Sequence, residues 1–187
     1  MTPQQVVSFY RQMQGIAFHQ VEIMYSMSCA RALLIVSACF VAQAQNASPT
    51  AEEINTRIER DGAAKVVQQL TAGNAAKWHQ VIDKIDTGES AWLDVAGKLL
   101  KVTDAGGTED LRVSLAVALT HNPEGVLRMT GPDLALEQVC TVPFIEPSKK
   151  AVTAHKAKVQ AAMKRVTAKE LQEKKVACLK AIDAISP

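Results

Sequence analysis

Helix-starting and helix-stopping signals follow one another so closely between residues 50 and 139 that this stretch can fold only as a series of short helices. Thr50 and Glu53 have capping-box spacing, in which the hydroxyl accepts a free backbone N–H and the carboxylate reaches back. Ile54 and Ile58 share one face of the helix that follows, Asp61 and Gly62 break or bend it, and Val66, Val67 and Leu70 carry the apolar stripe to Gly73. Asn74 is placed to cap the next helix, with Trp78, Val81, Ile82 and Ile85 buried and Gly88 at its end. Ser90 caps another, burying Trp92, Val95, Ala96, Leu99 and Leu100. Residues 104–107, with two glycines, read as a loop, and Thr108 as the cap of a helix carrying Leu111, Leu115, Ala118 and Leu119. Asn122 and Pro123 are a cap and a first-turn proline for a short helix through Val126 and Leu127. Gly131 and Pro132 stop it, and Asp133 begins a last short helix to Val139. Alanine, leucine, valine, lysine and glutamine dominate, which favours helix over strand.

The texture changes at Cys140. Pro143 and Pro147 fall within residues 140–147, so regular helix is excluded there. The segment reads as an extended strap laid over the helices, anchored by Phe144 and Ile145. Ser148 opens a long helix to about Val166, and Thr167 with Glu170 repeats the capping-box spacing. A final helix carries Leu171, Cys178, Ile182 and Ile185 on one face, making residues 148–187 a helical hairpin. Trp78, Val81 and Ile85 are echoed fourteen positions on by Trp92, Val95 and Leu99. Successive short helices with matching faces resemble the helix pairs of HEAT-like solenoids. The expected fold is all-α: about six stacked short helices in a solenoid-like body, the proline-rich strap, and the hairpin. Trp78 and Trp92 are the expected core anchors.

A different pattern precedes this region. After Met27 come one positive charge, Arg31, eleven uncharged residues at 32–42, and a small-x-small ending at Ala42 and Ala44. That is the layout of a secretory signal peptide, with cleavage expected before Gln45. Residues 27–44 are then the signal, 45–187 one mature domain (body 45–139, strap 140–147, hairpin 148–187), and 1–26 an over-extended start or an amphipathic leader. The apolar run is too short for a permanent span, which needs about 20 residues. A minor reading takes the small residues before Cys39 as a lipoprotein site, leaving a lipidated Cys39 and a membrane anchor.

Only Cys140 and Cys178 survive cleavage, and a lone pair in an oxidising compartment favours one disulfide over a metal site or a catalytic thiol. The thiols and His155 match no zinc spacing. His79, His121 and His155 are expected on the surface or near helix ends. No nucleophile elbow, zinc-protease helix, phosphate loop or dinucleotide fingerprint is present, so no catalytic, cofactor or metal residue is assigned.

Charge is distributed unevenly. Residues 45–147 hold nine Lys/Arg against fifteen Asp/Glu, net −6, whereas residues 148–187 hold ten against three, net +7. Nine of those ten cations are lysine, and no aromatic lies among them. Specific nucleic-acid recognition uses arginine forks and stacking rings, so a nucleic-acid partner is not expected. The basic hairpin is expected to lie against the acidic body or to face water. The function these features favour is an exported, non-enzymatic, protein-binding component of a bacterial envelope: an adaptor, a chaperone-like factor or a toxin-immunity protein. The alternatives are a periplasmic enzyme whose site is assembled from distant residues, and a lipid-anchored structural protein.

Overall fold

A computed structural model of the chain describes residues 48–186. The signal-peptide features, including Arg31, Cys39, Ala42, Ala44 and Gln45, lie outside the described residues. Nine α-helices occur among those described: α1 (Ala51–Asp61), α2 (Ala63–Thr71), α3 (Ala76–Ile85), α4 (Ser90–Leu99), α5 (Ala105–Ala118), α6 (Pro123–Met129), α7 (Leu136–Val139), α8 (Lys149–Met163) and α9 (Gln172–Ala184). A 3-10 turn, Lys169–Leu171, precedes α9, and the described residues contain no strand. The fold is all-α. None of these helices is long and apolar enough to cross a membrane.

Local chemistry sets most of the helix starts. Thr50 Oγ1 accepts the Glu53 amide while Glu53 accepts the Thr50 amide, so the capping box at α1 is complete. Asn122 Oδ1 accepts the Gly125 amide ahead of Pro123, and Ser148 Oγ accepts the Ala151 amide. Five starts differ from expectation. Ala75, at φ +56°, and not Asn74, is the N-cap of α3; the Asn74 side chain accepts the Ala76 amide at 3.2 Å. Asp104, not Thr108, caps α5: its carboxylate accepts the Gly107 amide, so residues 105–107 are the first helical turn rather than a loop. Thr108 lies inside the helix and its hydroxyl pairs with that of Thr103 at 3.0 Å. Ser90 is the first residue of α4 rather than its cap, a place taken by Glu89. The helix expected from Asp133 shrinks to the single turn of α7, because Gly131 and Leu134 close a small bridged turn first. At Thr167 no capping box forms. Its amide and that of Ala168 are both accepted by Glu124 Oε1, from α6, at 2.7 and 3.0 Å.

The packing centres on α4, which touches α1, α2, α3 and α6; α5 lies against α3, α6 and α7, and α9 against α7 and α8. Trp78 and Trp92 are 2% and 4% exposed. Trp78 also donates its indole N–H to Asp110 Oδ2 at 2.8 Å, tying α3 to α5. The ends of those two helices meet at Gly88 (φ +72°), where an added Cβ would approach the Ala118 carbonyl oxygen, His121 Cβ and Asn122 Cβ at 3.1 Å. Positive φ and that contact both require glycine.

The hairpin is part of this core. Val152, Val159, Met163, Val166, Leu171, Cys178 and Ile182 are buried. Cys140 and Cys178 form a disulfide with Cα atoms 5.3 Å apart, joining the end of α7 to the middle of α9. The segment after Cys140 is irregular as far as Ser148, but its anchors are not those expected: Ile145 is 97% exposed and Phe144 about half exposed, while Pro143 is buried. The chain leaves the core after Pro143 and returns at Val152, which puts Phe144, Ile145 and Glu146 at the tip, whatever their hydropathy.

Candidate functional site

Three open clefts are candidate binding surfaces. The largest, about 680 Å³, lies between α4 and α6; Leu93, Leu100, Met129 and Leu134 give it an apolar lining, and Gly97 opens it. Its rim carries Asp94, Lys98, Lys101, Arg128 and Asp133. Lys98 pairs with Asp94 at 2.9 Å and with Asn55 Oδ1 at 2.8 Å, and Arg128 with Glu170 at 2.6 Å, so three of these five rim charges have partners. A second cleft of about 610 Å³ runs between α5, α7 and residues 141–145, with Val113 and Phe144 among its apolar members. Arg112 lines it, with Nε buried and unpartnered and Nη1 3.9 Å from Glu109. The third, about 440 Å³, lies beside Trp78 and His79 at the start of α5.

One polar cluster interrupts an apolar helix face. Ser114 is 1% exposed on the α5 face that buries Leu111, Leu115 and Ala118. Its Oγ lies 2.9 Å from the Ile82 carbonyl oxygen and within hydrogen-bond reach of Asp86 Oδ1. A hydroxyl has one proton to donate. That proton goes to Asp86 or to the Ile82 carbonyl oxygen, and the latter already accepts the Asp86 amide at 3.1 Å. Partial burial pushes the Asp86 carboxyl above its ordinary range and neighbouring Asp83 adds to this, while the hydrogen bond from Ser114 and nearby His121 pull it down. The cluster clamps the end of α3 to α5 and lines none of the three clefts.

His155, expected on the surface among lysines, is instead 5% exposed on the inner side of α8. Its Nε2 lies 3.1 Å from the Thr141 carbonyl oxygen, and the Phe144 ring meets it edge-on at 5.6 Å between centroids. Burial pushes its pKa down, which favours a neutral ring donating Nε2–H to Thr141. His155 thus secures the irregular segment to α8. His79 and His121 are exposed.

The cations of the hairpin divide into two sets. Arg165 donates to the Thr120 and His121 carbonyl oxygens, Lys174 to Leu127 and Thr130, Lys175 to Val166, and Lys156 to Asp183 and Ile185. Each therefore satisfies carbonyls at a helix C-terminus, where the backbone leaves acceptors free and the dipole favours positive charge. The expected apposition of basic hairpin and acidic body takes another form: the ion pair joining them sets Arg128 of the body against Glu170 of the hairpin. Lys149, Lys150, Lys158, Lys164, Lys169 and Lys180 are exposed.

Among the described residues no group of three or more His, Cys, Asp or Glu side chains is placed to hold a metal ion. The structure brings together Cys140 and Cys178; Trp78 and Trp92 sit on the adjacent helices α3 and α4. The Ser114–Asp86 clamp and the burial of His155 escaped sequence reasoning, although Ser114 can be recognised as a polar residue on the Leu111–Leu115 face. Comparison with protein-family models, with curated proteins and with solved structures gave no match.

Proposed function

We propose that this chain is an exported, non-enzymatic helical component of a bacterial cell envelope that binds another protein through the cleft between α4 and α6. The observation that carries the binding reading is that cleft's make-up: an apolar floor with a flexible methionine, ringed by charges of both signs, three of them already paired. Such a surface suits an apolar side chain of a partner, with polar contacts at the rim. Adaptor, chaperone-like and toxin-immunity roles all use such a surface. Export rests on Arg31, the uncharged run 32–42 and the Ala42-x-Ala44 ending. The enzyme alternative has its best group in Ser114 and Asp86, but that hydroxyl is buried away from every cleft described. The lipid-anchored alternative rests on Cys39.

Gly97 makes the binding reading testable. An added Cβ there meets only Met129 Cε, at an ordinary 3.6 Å, so Gly97→Leu projects into the cleft. Replacing a helical glycine favours the helix, so the melting temperature should hold or rise. Capture from an envelope extract should retain a partner on the wild type and lose it on Gly97→Leu. Identical captured sets would sink the proposed cleft. Mass spectrometry of the released protein should give a chain starting at Gln45; a chain starting at Met1 in the cytoplasm would end the export reading, and a lipid mass on Cys39 would replace it with the anchored one.

A further inference from the structure

Residues 149–166 contain six cations and no carboxylate. Two of the six, Lys156 and Arg165, are engaged by helix-end carbonyls. The other four, Lys149, Lys150, Lys158 and Lys164, are exposed and form no ion pair among the described residues. Helical spacing puts Lys149, Lys150 and Lys164 within about 100° of one another, on a face that borders the buried Val152, Val159 and Met163 at Lys149 and turns away from them towards Lys150. Lys149 and Lys150 stand in the first turn of α8, at the positive end of the helix dipole, where carboxylates are the favoured residues. Two of these lysines, Lys149 and Lys150, follow closely on the most exposed large apolar side chain described, Ile145 at 97%, and Lys164 stands about 21 Å further along α8. At most about 18 Å of chain separates Ile145 from Lys150. The tip bearing Ile145 is held in place: Pro143 is buried, the Phe144 ring abuts His155, and Glu146 sits at φ +46°.

We infer that the outer face of α8 and the Ile145 tip together form a peripheral binding surface for an anionic lipid bilayer, the lysines lying over the headgroups and Ile145 dipping into the interface. This surface is separate from the cleft between α4 and α6, and neither proposal depends on the other. The composition of the face selects this partner. Between its lysines stand Thr153, Ala157 and Gln160, which offer no large apolar anchor, and lysine is depleted at protein interfaces. The hairpin's one arginine is already engaged and no ring is available for stacking on bases, which disfavours nucleic acid. A charged membrane surface needs neither device: diffuse positive charge and one apolar wedge act together there, each alone giving weak, reversible attachment. Glu146 adjoins Ile145, and Glu109, Asp110 and Glu137 line the cleft on its other side, so the lysines of α8 and not the cleft side would face the headgroups.

Sedimentation with vesicles tests this on the protein as released, beginning at Gln45, because the apolar run at 32–42 would by itself attach the uncleaved chain to any vesicle. Vesicles containing phosphatidylglycerol should retain the wild type at low salt, vesicles of phosphatidylcholine alone should retain it far less, and retention should fall as salt shortens the screening length. Each lysine near such a surface contributes about a fivefold change in partitioning, so the triple variant Lys149→Gln, Lys150→Gln, Lys164→Gln should bind on the order of 100-fold more weakly. Ile145→Asp should weaken binding to the same vesicles by about tenfold. All these side chains are exposed, so melting temperatures should be unchanged, which separates lost binding from lost fold. Wild-type affinity for the anionic vesicles in either variant would overturn the inference. So would tighter retention of the wild type on a DNA oligonucleotide than on the vesicles, or a concentration-dependent dimer that the triple variant abolishes.

Discussion

At the scale of single residues, the contacts that matter are the ones that decide where a proton sits. Asp86 is the C-cap of α3, where a carboxylate opposes the helix dipole, and it is partly desolvated beside Ser114. Its pKa is raised, so the folded state binds the proton more tightly than the unfolded chain. The stabilising, neutral form is complete below the ordinary carboxylate pKa and is lost as pH rises through the raised value. Asn carries no charge at any pH and still offers Ser114 an acceptor oxygen. Asp86→Asn should therefore raise stability at pH 7 by up to about 1 kcal/mol, the scale of one hydrogen bond, and the gain should vanish below the ordinary carboxylate range. Urea unfolding at two pH values checks it; a loss of stability at pH 7 would mean that the ionised carboxylate is the useful form. His155 belongs to the same scale with the opposite sign. It is kept neutral by burial, so its share of stability is present above the ordinary histidine pKa and falls away on acidification. Neither effect is visible in the local sequence, because each depends on desolvation by residues far away: Ser114 is 28 positions from Asp86, and Thr141 lies 14 from His155.

At the scale of elements, the sequence is legible wherever a helix end is settled by its own neighbours. The Thr50–Glu53 box, Asn122 before Pro123 and Ser148 all cap as their spacing indicates, since donor and acceptor are three residues apart. The start of α5 is obscured because two glycines argue against helix more strongly than Asp104 argues for it, yet the Asp104 carboxylate closes the first turn on the Gly107 amide. The start of the last helix is obscured for a non-local reason. Thr167 and Glu170 have capping-box spacing, but the orphan amides are taken by Glu124, more than forty residues earlier. Those amide bonds, from Ala168 first and then Thr167, hold the Glu124 carboxyl below the usual range. Its contribution is complete above the ordinary carboxylate pKa and is lost as pH falls through the lowered one. Glu124→Ala should therefore release amide protection at Thr167 and Ala168 while leaving α8 and α9 protected. Hydrogen exchange at neutral pH measures it. Unchanged protection at those two amides would show that the Thr167 box forms instead.

At the scale of the whole molecule, what remains is how the hairpin is held. Its basic composition suggests a loosely docked element that depends on its staple, but its inner faces belong to the common core, from Val152 through Met163 and Leu171 to Ile182. Four of its cations are also spent on helix-end carbonyls, two of them, Arg165 and Lys174, on the body. The disulfide then adds a constraint on the unfolded chain more than a new contact. Cys140 and Cys178 are 38 positions apart and both buried. For a loop of that length the chain-entropy account gives about 4 kcal/mol, a large share of a typical stability of about 5–15 kcal/mol. Replacing both cysteines by alanine should lower the denaturation midpoint by that order. Because the hairpin shares its core with the body, unfolding should remain one cooperative transition, followed identically by tryptophan fluorescence (Trp78 and Trp92, both in the body) and by far-ultraviolet dichroism, to which α8 and α9 contribute. Two separated transitions, with dichroism falling before fluorescence, would show that the staple alone docks the hairpin. An unchanged midpoint would show that the bridge constrains nothing the core does not already constrain.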